Sequence, residues 1–266
     1  MSKLEHKGII GFFDILGYSN LLENNDIGPN TEEVIDIILN AKSNIYKEYY
    51  TQSIKAKEIY DEYVRYIVIS DSILFYSYYL NEDEIDVQWK YFLLYLNIFQ
   101  KYMFDKGLPV RGVVNVGNYF IKENCFAGKT IIDAIKFSNR IKMAACALHE
   151  AASYELKNID FSMNLPETDL SEITIDYPFI DDPLLNCISL NCPHIPKEAL
   201  ARPPHIIKFP TFLNMMVLKV IDKNINLTNY VSNSFSKYNK KIDSNEVRDK
   251  IVATTNFLEA CRKTTE

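Results

Sequence analysis

A short apolar run near the start of the chain, broken by a single acid, constrains the fold most. Gly8–Leu16 is apolar at every position except Asp14. A continuous apolar run of this length predicts a buried central strand. A carboxylate inside such a strand is costly unless it is paired or binds a metal ion. Gly17 follows immediately and allows the backbone to turn and to approach a ligand closely.

Helical and extended patterns alternate after this strand. A helix is predicted from Asn30 to about Tyr60, because Asn30 supplies a capping residue and apolar residues then recur at helical spacing. A hairpin follows, with arms over 64–69 and 73–78 that are rich in β-branched and aromatic residues. Its turn, 70–72, is Ser-Asp-Ser.

Three further elements complete the first part of the chain. A second helix is predicted over 82–106, ended by Gly107. A strand over 109–120 and a third helix over about 130–150 come next. The order β-α-β-β-α-β-α predicts an α+β fold with a ferredoxin-like, split βαβ core.

This topology brings two acids together. Asp14 ends the first strand and Asp71 lies in the hairpin turn, so both carboxylates converge at one edge of the sheet. Hard oxygen ligands of this kind suit Mg²⁺ or Mn²⁺. Taken singly, Asp14 is also compatible with a structural acid that caps a turn, and Asp71 with an ordinary turn residue. Arg111 is predicted either to contact a base or phosphate or to pair with an acid at the edge of the core.

Composition limits the partners. The chain of 266 residues has a formal net charge of −6 and no long basic run, which argues against a nucleic-acid binder. An acidic protein can still bind nucleotides when metal ions screen the phosphates. No apolar stretch is long enough for a membrane span, and the first residues lack an apolar leader. Five cysteines without a tight spacing pattern predict a reduced, cytoplasmic protein.

The remainder of the chain is less regular. Residues 164–204 are rich in Pro, Asp and Asn and predict a long irregular connection. A strand over 217–221 and helices over 227–240 and 245–264 follow. We therefore expect a catalytic domain over 1–160 and a C-terminal extension over 161–266 that packs on it.

Short motifs in the first part of the chain resemble those of class III nucleotidyl cyclases. Phe12–Tyr18, Phe-Phe-Asp-Ile-Leu-Gly-Tyr, is similar to their first metal motif, and Ile69–Ser72 is similar to their second. Arg111-Gly112 and the segment Gly128–Ala134 are similar to motifs of a bacterial branch that includes the pyrimidine cyclases of the Pycsar antiphage system. The resemblance covers roughly residues 8–150.

The resemblance implies a homodimer with active sites at the subunit interface. Each site would close a nucleoside triphosphate, UTP or CTP by likeness to that branch, into a 3′,5′-cyclic nucleotide, with release of pyrophosphate. The product, cUMP or cCMP, would act as a second messenger in antiphage defence. Asp14, Asp71 and the carbonyl of Ile15 would hold two Mg²⁺ or Mn²⁺ ions. The implied nucleotide contacts are the backbone at Ile15, Leu16, Gly17 and Tyr18, together with Ser72, Arg111 and Tyr66.

The chain departs from the better-known cyclases at the base and at the transition state. Their adenine-selecting Lys falls near Tyr66 or Ile67, so a preference for ATP is not expected. Their Asn and Arg fall at Ile132 and Lys136, and Arg140 lies one turn further along. Lys136 and Arg140 are therefore both candidates for the catalytic cation.

Two other functions share these features. A catalytically degenerate cyclase-like protein would bind nucleotide as a sensor or scaffold, and the missing Asn/Arg pair supports it. An unrelated metal-dependent phosphohydrolase would use the same carboxylates and release a linear product.

Overall fold

The computed structural model describes residues 7–49, 61–79, 81–157, 159, 174–176, 211–213, 222 and 224–264.

A mixed sheet forms the centre of the molecule. Its first four strands are β1 (Lys7–Ile15), β2 (Arg65–Ile69), β3 (Ser72–Tyr78) and β4 (Val110–Asn118), in the spatial order β2-β3-β1-β4. β1 is antiparallel to both β3 and β4, and β2 is antiparallel to β3. This is the order and the orientation of a split βαβ sheet, so the predicted ferredoxin-like α+β core is confirmed.

The sheet continues beyond β4. β7 (Cys146–Leu148) lies parallel to β4, followed by β9 (Thr211–Leu213) and β8 (Thr174–Asp176). A separate hairpin, β5 (Phe120–Lys122) with β6 (Cys125–Ala127), leads away from β4. Neither this hairpin nor β7 was expected from the sequence.

One face of the sheet, the helix face, packs mainly against helices that precede β4 in the chain. Phe13 anchors it, with its ring 5.2 Å from that of Phe99 and 5.7 Å from that of Phe75 in edge-to-face contacts. The helices are α1 (Tyr18–Asn25), α2 (Pro29–Leu39), α3 (Ala41–Tyr49) and α4 (Ile85–Asp105), the last preceded by a 3-10 turn over Glu82–Glu84.

The opposite face, the site face, carries Asp14 and is covered mainly by later parts of the chain. Phe12, Leu74 and Val113 point to this side and share a buried cluster with residues of α5 (Lys129–Ser138), α7 (Leu227–Ser236) and α8 (Asn245–Thr264). The short α6 (Glu150–Leu156) instead packs its buried residues into the core of the helix face. The C-terminal helices α7 and α8 therefore share a buried cluster with the sheet. The division into a catalytic domain over 1–160 and an extension over 161–266 stays a prediction.

The helix predicted from Asn30 to Tyr60 differs from the structure. It begins one residue earlier, with Gly28 at the cap and Pro29 in the first turn, where the missing N–H of proline has no cost. It also breaks at Asn40, whose side-chain amide donates to the Asp36 carbonyl at 3.0 Å and competes with continuation of the helix. Residues 50–60 lie outside the described part of the chain. α1 was not predicted at all.

The third predicted helix, 130–150, is wrong over its second half. α5 ends at Ser138, and the apolar run Met143–Leu148 contributes β7 instead. A short continuous apolar run is compatible with a buried strand as well as with a buried helix, and periodicity does not separate the two. Pairing with β4 favours the strand. The Gly112 amide of β4 donates to the Ala145 carbonyl at 2.9 Å, just before β7.

In the C-terminal part, α8 confirms the helix predicted over 245–264. α7 ends at Ser236, earlier than the predicted residue 240. The predicted strand over 217–221 lies outside the described residues, as does most of the connection over 164–204. Within the described ranges, none of the helices combines the length and apolarity needed to cross a membrane.

Candidate functional site

Strand register fixes the surroundings of Asp14. Its neighbour on β3 is Ser72 and its neighbour on β4 is Arg111. Directly paired residues of antiparallel strands point to the same side, so these side chains lie together on the site face. The side chain of Asp14 is only 20% exposed. The sheet therefore holds one acid between a hydroxyl and a guanidinium.

The hairpin turn brings the second acid to the same place. Ser70 and Asp71 form the turn, with Ser70 in the left-handed region at φ 56°. The Ile15 amide donates to the Asp71 carbonyl at 3.1 Å, which fixes the turn against the end of β1. The predicted convergence of Asp14 and Asp71 at one edge therefore agrees with the geometry, whereas their predicted role as metal ligands remains a proposal.

Electrostatics follow from this placement. Burial raises the pKa of Asp14 above its ordinary value, the charge and hydrogen bond of Arg111 oppose that rise, and the negative charge of Asp71 adds to it. Burial and then Asp71 likewise raise the pKa of the Tyr18 hydroxyl. The two acids thus lie close enough for the negative charge of Asp71 to act on Asp14.

Arg111 makes an ion pair with Asp14, one of the two roles predicted for it. Its Nε and Nη2 lie 2.9 and 2.8 Å from the same carboxylate oxygen, Oδ2. Its Nη2 also donates to Asn139 Oδ1 at 3.1 Å, and its Nη1 donates to the Ile141 carbonyl at 3.4 Å. The guanidinium therefore joins β4 to the segment after α5 while it neutralises the acid.

The turn after β1 presents the start of α1. Gly17 has φ 78°, a conformation that favours glycine, and its carbonyl accepts the amide of Leu21 at 3.0 Å. The first amides of a helix lack intrahelical partners, so those of Tyr18, Ser19 and Asn20 are available to an anion. The Leu16 amide, in contrast, donates to the Pro109 carbonyl at 2.8 Å and is not free to bind a phosphate.

Tyr66 lies on the wrong side of the sheet for the base contact predicted for it. Its partner on β3 is Phe75, which belongs to the helix face, and its hydroxyl donates to the Leu39 carbonyl at 3.0 Å. Ile67 pairs with Leu74 and therefore points to the site face. The motif resemblance places the base-selecting Lys of class III cyclases near Tyr66 or Ile67, and of these two positions the one that faces the site is apolar.

Lys136 and Arg140, the two candidates for the catalytic cation, are both exposed. Lys136 lies in the last turn of α5, and the Arg140 guanidinium lies 5.7 Å from the Phe137 ring centre. Asn139 and Ile141, on either side of Arg140 in the chain, both accept hydrogen bonds from Arg111. Their exposure makes Lys136 and Arg140 accessible to a partner molecule, and their catalytic role stays a prediction.

Two lysines in the segments that contact this site, Lys250 and Lys142, were not found from the sequence. The positive charge of Lys250, in α8, lowers the pKa of Asp14, although the two residues are far apart along the chain. Lys142 follows Ile141, whose carbonyl contacts Arg111. No local pattern marks either lysine, because each looks like an ordinary charged residue in its own segment.

The donor set at Asp14 fits a hard divalent cation. Asp14 and Asp71 bring two negative charges to the same strand end. A divalent ion bound there would offset both charges. Such an ion would compete with Arg111 for Oδ2 of Asp14. Over the described part of the chain, no group of three or more His, Cys, Asp or Glu residues is gathered, so backbone or substrate oxygens would complete the coordination.

Comparisons with known proteins give only distant likenesses. No family model matches the sequence, and no protein of curated function matches it. The structure is similar to the adenylyl cyclase CyaB from P. aeruginosa, with 14% identity, TM-score 0.38 and coverage of 58% of this chain and 83% of that one. It is also similar to a class III adenylyl cyclase-like ATP-binding protein from Pseudomonas aeruginosa, with 12% identity, TM-score 0.36 and coverage of 55% and 34%. Likenesses this distant say nothing of activity.

Proposed function

We propose that the chain is a nucleotidyl cyclase that converts a nucleoside triphosphate into a 3′,5′-cyclic nucleotide and pyrophosphate. One observation carries the proposal: Asp14 and Asp71 meet at the end of β1, beside a left-handed Gly17 turn that opens helix α1. This arrangement lies within a split βαβ sheet, in the segments that resemble the cyclase metal motifs.

Asp14, Asp71 and the carbonyl of Ile15 would hold two Mg²⁺ or Mn²⁺ ions. When bound, these ions would acidify the ribose 3′-hydroxyl and neutralise the phosphates. The charge of Arg111 favours the ionised form of Asp14, and the ion pair orients the carboxylate before the substrate arrives. Its planar guanidinium can then turn to a phosphate, since it matches phosphate and carboxylate geometry equally well.

The start of α1 would bind the phosphates. Its unpaired amides and the positive end of its dipole favour an anion, and Gly17 lets the chain approach closely. The Ser72 hydroxyl, beside Asp14, is a further donor on the same face. These groups orient the triphosphate so that its α-phosphate lies near the ribose hydroxyl.

The proposed substrate is a pyrimidine triphosphate, UTP or CTP, giving cUMP or cCMP as a second messenger in antiphage defence. The motif resemblance supports this choice. The apolar side chains of Ile67 and Leu74 on the site face agree with it, because they offer no charged donor to an adenine ring.

The test is product analysis. Purified protein is incubated separately with ATP, GTP, CTP and UTP plus Mn²⁺, and products are identified by mass. We expect a cyclic monophosphate from UTP or CTP, and a loss of roughly 1000-fold or more in Asp14→Ala and Asp71→Ala, because metal ions supply several kcal/mol of transition-state stabilisation. Asp83→Ala, which removes an exposed acid outside the site, is the matched control and should leave the rate unchanged.

A linear monophosphate or diphosphate as product would instead identify a phosphohydrolase. Full activity in either Asp14→Ala or Asp71→Ala would contradict the role proposed for the carboxylates.

A second candidate function has its own support. Arg111 already neutralises Asp14 through two contacts to Oδ2, as expected in a site that no longer binds metal. A catalytically degenerate cyclase-like protein would bind nucleotide without turnover. Nucleotide binding with recovery of intact triphosphate in all four incubations would favour this function.

A further inference from the structure

The first half of α8 is held against the segment that contacts Arg111. The Ala144 amide donates to Thr254 Oγ1 at 2.9 Å, and Thr254 is fully buried. At the other end of the same segment, the Ile141 carbonyl accepts from Arg111. Residues 141–144 therefore connect the acid–guanidinium pair on the sheet to a helix from the C-terminal part of the chain.

Two lysines lie along this connection. Lys250 is one helical turn before Thr254, and its carbonyl accepts the Thr254 hydroxyl at 2.7 Å. Lys142 lies within the connecting segment itself. The electrostatic interactions agree with this placement. The positive charge of Lys250 lowers the pKa of Asp14. The positive charges of Lys142 and Arg111 lower the pKa of Glu246, which is also in α8. Arg111, Lys142 and Lys250 thus come from three separate parts of the chain that lie close to one another beside Asp14 and Glu246.

Lys250 is paired in a way that allows exchange. Its Nζ lies 2.7 Å from Glu246 Oε1; the lysine side chain is 19% exposed and the glutamate side chain 75%. A contact with an exposed carboxylate contributes little, so the glutamate can leave at small cost. Arg111, by comparison, contacts Asp14, Asn139 and Ile141 together, so more contacts must break before it can turn to a phosphate.

We propose that Lys250, with Lys142, binds the outer phosphates of the nucleoside triphosphate, exchanging the Glu246 carboxylate for phosphate oxygens. The C-terminal helices would then supply one wall of the site on the same chain as the carboxylates. Only the identity of the ligand rests on the function proposed above, because the lysine cluster can be tested with a polyphosphate that has no base and no ribose.

The experiment measures the binding of inorganic tripolyphosphate in excess Mg²⁺ by titration calorimetry. We expect Lys250→Gln to weaken binding about tenfold or more, since a charge-assisted hydrogen bond to phosphate is lost. Lys250→Arg should retain most of the affinity. Glu246→Gln should strengthen binding, because it removes the competing carboxylate.

Lys263→Gln is the matched control, since it removes an exposed lysine near the other end of α8 and should leave affinity unchanged. Thermal unfolding of each variant separates loss of binding from loss of fold. Equal affinity of the wild type and Lys250→Gln, or no binding by the wild type, would overturn the proposal. Lys250-dependent binding by a protein that forms no cyclic product would support it while contradicting the cyclase activity.

Discussion

At the scale of single residues, the site contains charged side chains that are largely shielded from water. Asp14 and Arg111 are each about four-fifths covered, with side chains 20% and 17% exposed. A pair at this depth neutralises itself, but removal of one partner leaves the other uncompensated. Arg111 therefore supplies the positive charge that offsets Asp14 in this structure.

A second buried charge belongs to Lys240, in the segment between α7 and α8. It is 6% exposed and donates from Nζ to the Gly107 carbonyl at 2.7 Å. Burial, and next the charge of Lys237, lower the pKa of Lys240 from 10.5 to about 7. Between about pH 7 and pH 10.5 the unfolded chain holds a proton there that the folded chain lacks, so this group makes stability rise with pH across that window.

We therefore predict that the free energy of unfolding of the wild type rises relative to that of Lys240→Met as the pH increases from 7 to 10, by at most about 1.4 kcal/mol per pH unit. Urea unfolding at several pH values measures this. Lys241→Met, at an exposed neighbour, is the control and should follow the wild type. Parallel pH profiles for wild type and Lys240→Met would show that the lysine stays charged in the fold.

At the scale of elements, the junction of β7 and α8 connects the C-terminal helices to the site. Ala144 lies just before β7, and its amide is satisfied by the Thr254 hydroxyl within a buried region. An unsatisfied buried amide is costly, so this one hydrogen bond helps to decide how α8 rests on the sheet.

Thr254→Val keeps the shape of the side chain and removes the acceptor. We expect it to lower the free energy of unfolding by about 1–3 kcal/mol, the cost of a buried donor left without a partner. Thr255→Val is the matched control, because that hydroxyl bonds the Ile251 carbonyl of its own helix, and we expect a change below about 0.5 kcal/mol. Equal effects of the two substitutions in urea unfolding would show that the contact to Ala144 does not anchor α8.

At the scale of the whole molecule, the site face is covered over much of its area by the chain's own α5, α7 and α8, and the carboxylates lie at its edge. Lys136 and Arg140 remain exposed and accessible to a second copy of the chain. A homodimer in which α5 of one subunit completes the site of the other is the arrangement that the motif resemblance implies, and it stays a prediction.

Mixing of variants tests this arrangement. Asp71→Ala and the double variant Lys136→Ala/Arg140→Ala should each be inactive alone. If subunits exchange freely and share sites, mixing them should restore about a quarter of wild-type activity, because half the dimers are mixed and each has one intact site. Absence of rescue, with a monomeric mass in solution, would place every catalytic group within one chain.

Some of the fold and of the site could be predicted because local patterns suffice for them. The apolar run with Asp14 specifies a buried strand, and the hairpin around Asp71 pairs with itself and then with that strand. The order of elements then brings both acids to one edge, whatever the details of the loops. The sequence by itself thus determined the α+β core and the Asp14–Asp71 pair.

Other features depended on contacts that no local pattern contains. The strand register decides which face of the sheet each side chain occupies, and a slip of one residue reverses the faces. The sequence does not reveal this register, so it predicts Tyr66 at the site, whereas the structure places Ile67 on the site face. Pairing with β4 made Cys146–Leu148 a strand. Packing of α8 against residues 141–144 brought Lys250 near Asp14. Tertiary structure alone decided these, because burial and pairing between distant segments outweigh the weak preferences of each segment taken alone.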